Sequence, residues 1–175
     1  VEEWGKRHWK KYGQFEEGRQ LRMLPDFKLV LDLKEDPTFR SDQEVGLLSV
    51  ATKDKFVYLS YTIQEGGDSR ENVYLMVDEY SETLEKIRTI FKVRTASFSH
   101  VAGTLAFDQS GHLYLSVGEG RISDHESQKI DSFLGKILRI DVSKTDPVVE
   151  IVAYGLRNPW KFSICLLDTA DAVDE

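Results

Sequence analysis

The sequence predicts an all-β fold, specifically a β-propeller of four-stranded antiparallel blades, and three observations lead to this prediction. Apolar and polar residues alternate over short runs, which is typical of half-buried strands. Two predicted hairpins, residues 45–62 and 102–119, match each other, with Gly46 and Gly103 standing 57 positions apart. Two further strands match after each hairpin, so four strands recur at the length of one propeller blade.

The remaining elements can be assigned in chain order from the same comparison. The third strands are VYLMVD (73–78) and KILRID (136–141), and the fourth strands are KIRTIFKV (86–93) and VEIVAYG (149–155). A third copy is predicted to begin at NPWKFSI (158–164), with Phe162 in the place of Phe107. A β-sandwich with two similar hairpins is the alternative, and the matching order of four strands favours the propeller.

The predicted organisation is one partial propeller domain over residues 1–175. Its approximate repeats are 26–95, 96–156 and a truncated copy from 157. Because a propeller closes with at least four blades, we expect this chain to be the N-terminal part of a larger protein. A partner chain that completes the ring is the rival expectation.

Composition excludes several classes of function. The 175 residues are 41% hydrophobic and 30% charged, which is the balance of a globular domain. A net charge of −7 argues against a nucleic-acid partner, and the basic cluster at residues 6–11 is interpreted as a solvated face. Cys165 is the only cysteine, so no internal disulfide or cysteine-based metal site is expected. No apolar run has the length of a membrane span, and any export signal is expected to lie outside this sequence.

Polar residues precede the predicted first strand of each copy. In a propeller the first strands are innermost, so the segments before them converge on one mouth of the central channel. This placement brings together Glu44, His100 and the pair Arg157–Asn158. A carboxylate, an imidazole and a guanidinium around one rim predict a functional site at this mouth. The alternatives are a loop histidine and an Asn-Pro turn.

Four segments resemble a known family in both order and spacing: EVGLLSVA, HVAGTLAFDQSGHLYLSVGEG, LGKILRIDV and YGLRNPWKFSI. Over about residues 27–164 the chain is similar to the N-terminal portion of the soluble pyrroloquinoline quinone (PQQ)-dependent glucose dehydrogenases and aldose sugar dehydrogenases, the glucose/sorbosone dehydrogenase family. The resemblance implies a six-bladed propeller that oxidises an aldose at C1 to its lactone. It also implies PQQ and calcium as cofactors, an external electron acceptor, and a periplasmic or extracellular location.

The resemblance also implies roles for individual residues. His100 matches the catalytic base, and Arg157 and Asn158 match residues beside the carbonyl oxygens of PQQ. Glu44 falls where the family places a polar residue facing the sugar, and Ser99 is expected at the substrate as well. Since Ser99 stands where the glucose dehydrogenases have an acid, a carboxylate to orient the histidine is expected to be missing.

Two further interpretations remain open at the level of sequence. The acidic loop 118–132 is a candidate calcium site through Glu119, Asp124 and Glu126, although a solvated hairpin tip is favoured. No other metal ligands are predicted, and the calcium ligands of the family are expected largely outside this segment. The alternative function is a non-catalytic propeller that binds a partner, as in the hedgehog-interacting proteins, or an inactive fragment.

Overall fold

The computed structural model describes residues 29–66, 72–122 and 125–164. The chain divides into two compact units, Val1–Val30 and Leu31–Glu175, and every strand given below lies in the second unit. The basic cluster at residues 6–11, Asp124 and Cys165 fall outside the described residues. The assignment of residues 1–175 to one domain, with the repeat boundaries given above, stays a prediction.

Two four-stranded antiparallel sheets make up the fold, each with its strands in sequential order. The first sheet contains β1 (Leu47–Lys53), β2 (Phe56–Gln64), β3 (Val73–Ser81) and β4 (Lys86–Arg94). The second contains β5 (Ala102–Phe107), β6 (Leu113–Val117), β7 (Lys136–Asp141) and β8 (Val148–Ala153). Short 3₁₀ helices cover Leu33–Glu35 and Glu126–Gln128, and no helix of the described residues has the length and hydropathy to cross a membrane. Two blades of a β-propeller are therefore present, as the sequence predicts.

The predicted third copy has no strand in the structure. Residues 158–164, including Phe162, follow an irregular path after β8. A strand is stabilised by hydrogen bonds to a neighbouring strand, and within the described residues none follows this segment. The prediction of a strand at this position is therefore wrong for the structure described.

The main hydrophobic core lies between the two blades. Alternate residues of β3, Val73, Leu75 and Val77, are fully buried on one face, and Leu113 and Leu115 of β6 are fully buried in the same cluster. The other face of the first blade forms a second cluster, which includes Leu59, Tyr61, Ile63, Met76 and Tyr80. Each fully buried aliphatic side chain contributes about 1.5–3 kcal/mol, so this packing fixes the two blades relative to each other.

Arg88 of β4 joins the outer parts of the blades through polar contacts. Its Nη2 donates to the carbonyl oxygen of Val142 at 2.6 Å and its Nη1 to that of Lys144 at 2.6 Å. Its Nε lies 2.5 Å from the buried carboxylate of Glu79, which also accepts from Tyr58 Oη at 3.1 Å. Burial and the nearby Glu79 charge raise the pKa of Tyr58, so this hydroxyl keeps its donor proton. The inner strands have a link of their own, since the Leu105 N–H of β5 donates to Ser49 Oγ of β1 at 3.0 Å.

Candidate active site

His100 lies in the short segment between β4 and β5, and backbone bonds on both sides hold it there. Its N–H donates to Glu44 Oε2 at 2.7 Å, and its carbonyl oxygen accepts from the Gly120 N–H at 3.1 Å. The residue is only 7% exposed and has a φ of 56°, a region that L-residues rarely adopt. Such a conformation costs on the order of 1–3 kcal/mol and persists only where surrounding contacts enforce it.

Glu119 orients the His100 ring. Its Oε1 lies 2.8 Å from His100 Nδ1, and both side chains are largely buried. An ionised carboxylate only accepts hydrogen bonds, so Nδ1 carries the hydrogen and Nε2 is left as the proton acceptor. The expectation that an orienting carboxylate is missing, based on Ser99, is wrong because Glu119 supplies it from the segment just after β6.

The register of the β5–β6 hairpin shifts between Ala102 and Leu105, where Leu105 pairs with Leu115, so an unshifted hairpin would not place Glu119 opposite His100. Within the β5–β6 pair, Ala102 stands opposite Val117. Two positions further along an antiparallel pair, His100 falls opposite Glu119. From the sequence alone, Glu119 is predicted only as a candidate calcium ligand.

Gly118 makes the close approach of these segments possible. A Cβ atom at this position would lie 1.8 Å from the carbonyl oxygen of His100, which no side chain tolerates. The Gly118 N–H donates to the Val101 carbonyl at 3.0 Å. The absence of a side chain at residue 118 therefore lets the ends of β5 and β6 come together beneath the histidine.

The Glu44 side chain joins three segments: its own segment before β1, the segment before β5 and the segment after β8. Its Oε2 accepts the His100 backbone N–H and, at 3.3 Å, Asn158 Nδ2. Three of the predicted site residues are thus brought together around one carboxylate oxygen. A role for Glu44 at the sugar stays a prediction, and the structure adds that this side chain holds the backbone of His100.

Arg157 and Ser99 take different positions around this cluster. The Arg157 carbonyl accepts the Glu119 N–H at 2.9 Å, whereas its side chain is 71% exposed and its Nε is 4.0 Å from Glu119 Oε1. The Ser99 N–H donates to Ser97 Oγ at 3.2 Å, so its backbone contact lies within its own turn. Ser99, His100 and Arg157 are not among the residues that line the cleft described next, whereas Glu44 and Asn158 are. The assignment of Ser99 to the substrate stays a prediction.

A cleft of about 540 Å³ opens beside the cluster. Its lining residues are Gln43, Glu44, Val45, Leu47, Leu48, Ala102, Thr104, Asn158, Trp160 and Lys161. Asn158 Oδ1 is buried and has no hydrogen-bond partner among the described residues. Trp160 is 64% exposed, and its carbonyl oxygen accepts from Thr104 Oγ1 at 2.5 Å. The cleft therefore combines the exposed aromatic surface of Trp160 with a cation at Lys161.

Comparison with known proteins assigns the family. The family model for glucose/sorbosone dehydrogenases matches residues 16–165. This chain belongs to the glucose/sorbosone dehydrogenase family. The resemblance seen in the four sequence segments is thereby confirmed.

Relatives of this family member include an enzyme and a binding protein. The aldose sugar dehydrogenase YliI of Escherichia coli (strain K12) is 28% identical over 135 residues, covering 65% of this chain and 36% of YliI. The hedgehog-interacting protein of Homo sapiens is 26% identical over 161 residues, covering 71% of this chain and 23% of that protein. This glucose/sorbosone dehydrogenase family chain thus spans about a third or less of the length of these relatives.

A solved structure of a glucose dehydrogenase has the same fold. It is 25% identical, with a TM-score of 0.54, and the match covers 70% of this chain and 41% of that one. The similarity supports the propeller architecture that the two sheets show on their own.

The acidic loop of this family member is engaged internally. Glu119 contacts His100, and Glu126 pairs with Lys129, which lowers the pKa of the Glu126 carboxyl group. Asp124 lies outside the described residues. Within the described ranges, no group of three or more His, Cys, Asp or Glu side chains could hold a metal ion. Calcium therefore remains an expectation from the family resemblance.

Sequence reasoning missed Trp160 and Lys161 as site residues. In the sequence both fall in the predicted third copy that begins at residue 158. The irregular path after Asn158 instead brings them to the cleft. Their position directly after the Arg157–Asn158 pair was the available signal.

Proposed function

We propose that this family member is a quinoprotein sugar dehydrogenase that oxidises an aldose at C1 to its lactone. The observation that carries the proposal is the Glu119–His100 pair beside the cleft. A histidine whose Nδ1 donates to a carboxylate presents Nε2 as a base, the arrangement that removes a proton from a hydroxyl group. Membership of the glucose/sorbosone dehydrogenase family supports sugar oxidation as the reaction.

The residues present fit PQQ, a planar tricarboxylate that the family resemblance implies. The exposed guanidinium of Arg157 is available for its carboxylates, and Lys161 adds a cation in the cleft. The exposed indole of Trp160 offers a flat surface for a planar ring. The cleft volume is also within the usual range for small-molecule sites.

The roles of the chain's own side chains follow from this geometry. His100 Nε2 takes the proton of the C1 hydroxyl as the C1–H bond breaks and the lactone carbonyl forms. Glu119 stabilises the imidazolium that results and keeps the ring in one tautomer. The exposed guanidinium of Arg157, 4.0 Å from Glu119 Oε1, favours negative charge on ligand oxygens near this pair. PQQ, when bound, supplies the acceptor for the hydride that leaves C1.

Calcium, an external electron acceptor and a periplasmic or extracellular location belong to the same proposal. Their support is the family resemblance, together with the aldose sugar dehydrogenase among the relatives. Because the chain covers 36% of that relative, the activity is tested in the protein at its full natural length.

A binding module is the second candidate, and the match to the hedgehog-interacting protein over 161 residues favours it. In that case the Glu119–His100 pair has only a structural role, and the propeller surface binds a protein partner. The two candidates differ in what they require of the cleft: only the dehydrogenase needs to bind a planar, anionic cofactor there.

The deciding experiment titrates the apo-protein with PQQ in the presence of calcium. Quenching of the Trp160 fluorescence reports binding, with Trp160→Phe as the matched control for assigning that signal. Reduction of an artificial acceptor by a panel of aldoses then reports oxidation. Saturable binding with sugar-dependent turnover supports the dehydrogenase. A folded protein that binds no PQQ contradicts it and favours the binding module.

A further inference from the structure

Lys136, the first residue of β7, is a fully buried lysine with no direct carboxylate partner for its ammonium group among the described contacts. Its Nζ instead donates to the backbone carbonyls of Leu134 at 2.7 Å, Ser127 at 2.8 Å and Glu126 at 3.3 Å. A lysine ammonium has three donors, so each is matched by one acceptor. Burial lowers the pKa of Lys136, while the nearby Glu126 and Asp131 charges act in the opposite direction.

The carbonyls that Lys136 binds belong to a loop that is joined to the candidate site by backbone hydrogen bonds. Ser127 O also accepts the Gly155 N–H at 2.7 Å. The Gly135 N–H donates to Gly118 O at 3.1 Å, and Gly135 O accepts the Leu156 N–H at 3.0 Å. Residue 135 is packed so tightly that a Cβ there would lie 2.4 Å from Leu156 O. The loop therefore fixes the segments around residues 118 and 156 at once.

Those two segments carry the orienting carboxylate and the predicted cofactor contacts. The Glu119 N–H donates to Arg157 O at 2.9 Å, which ties the backbones of the segments together. Glu119 in turn holds His100 Nδ1. A continuous set of hydrogen bonds thus leads from a buried ammonium group to the imidazole ring.

We propose that Lys136 is a positioning residue, an internal cation that sets the geometry of Glu119 and therefore of His100. Catalytic side chains hold their geometry only when the surrounding shell is itself fixed, and three convergent carbonyls around one ammonium provide such a fixed point. The effect of replacing Lys136 on turnover rests on the proposed function, whereas its effect on the geometry of the His100 ring does not.

The test is NMR spectroscopy of the full-length protein without cofactor. The wild type should show a downfield, slowly exchanging Nδ1–H resonance for His100. In Lys136→Met this resonance should disappear, and exchange of the Glu119 amide should become at least about tenfold faster because its segment opens more often. The matched control is Lys129→Met, a loop lysine that pairs with the Glu126 side chain at the surface and should change neither signal.

A folded Lys136→Met protein with an unchanged His100 resonance and unchanged Glu119 exchange would overturn the proposal. If Lys136→Met does not fold, Lys136→Ala is tested with n-propylammonium, which replaces the missing atoms, and with 1-propanol as the uncharged control. Recovery of the His100 resonance with the amine alone supports the proposal, and no recovery with the amine contradicts it.

In turnover assays, kcat of Lys136→Met should fall by up to about 10²-fold, the effect of a small misplacement of the catalytic side chain. Absence of sugar oxidation by the wild type would refute the proposed function and leave the NMR result decisive for Lys136.

Discussion

Replacing Glu119 with glutamine removes one charge from the site while keeping the side chain's size and its ability to accept a hydrogen bond. The wild-type contact is 2.8 Å long and joins a largely buried carboxylate to a largely buried imidazole. A hydrogen bond to a charged group contributes about 1.5–3 kcal/mol. That contribution is greatest when His100 carries the proton it has taken, so most of it should be lost from the transition state.

The expected result for Glu119→Gln is therefore a fall in kcat of about 10- to 150-fold, which is the rate equivalent of about 1.5–3 kcal/mol. The assay is aldose-dependent reduction of an artificial acceptor at saturating PQQ and calcium, with PQQ binding measured on the same samples. Glu150→Gln is the matched control, because Glu150 is an exposed carboxylate of β8 that pairs with Arg139. Wild-type turnover in Glu119→Gln would refute the role given to this carboxylate.

Three further outcomes are expected. Arg157→Ala should weaken PQQ binding by about 1.5–3 kcal/mol in equilibrium titrations. Arg157→Lys should restore only part of the lost binding, since the point charge of an ammonium does not reproduce the planar guanidinium. Equal binding by all three proteins would contradict a contact between Arg157 and PQQ. Gly118→Ala should lower the free energy of unfolding in urea by about 1–3 kcal/mol, because its Cβ would meet the His100 carbonyl at 1.8 Å, and an unchanged midpoint would show that the backbone is free to move. Burial lowers the pKa of Lys136 in the folded protein below its ordinary 10.5. Between this folded-state pKa and 10.5 the unfolded chain binds more protons, so the free energy of unfolding rises with pH. The contribution of Lys136 to the free energy of unfolding is fully present above pH 10.5 and is lost as the pH falls through the folded-state pKa. Subtracting the pH profile of Lys136→Met separates this contribution from that of buried tyrosines such as Tyr61, whose raised pKa acts in the opposite direction.

The blade architecture was predictable from the sequence because its signals are local. Alternation with a period of two marks each strand, and the repeat at 57 residues pairs Gly46 with Gly103. The structure contains both four-stranded sheets in the predicted order. The strand predicted at residues 158–164 is the exception, because alternation alone does not supply a neighbour for its backbone hydrogen bonds.

The candidate site was predictable in part. Equivalent positions before the inner strands bring Glu44 and His100 together, as the repeat implies. The contact of Glu119 with His100 depends on a register shift in the β5–β6 hairpin, which the alternation of apolar and polar residues does not reveal. The burial of Lys136 lies beyond sequence reasoning of this kind, because a lysine is ordinarily exposed and only the folded loop brings three carbonyls to its Nζ.

The central claim is that His100, held by Glu119, acts as the base in sugar oxidation. The most direct measurement compares the turnover of His100→Gln with that of the wild type, in the full-length protein at saturating PQQ and aldose. Glutamine keeps hydrogen bonding but cannot take a proton, so PQQ binding should stay nearly unchanged while kcat falls by about 10²-fold or more. A His100→Gln protein that oxidises sugar at close to the wild-type rate would contradict the claim and leave His100 with a structural role alone.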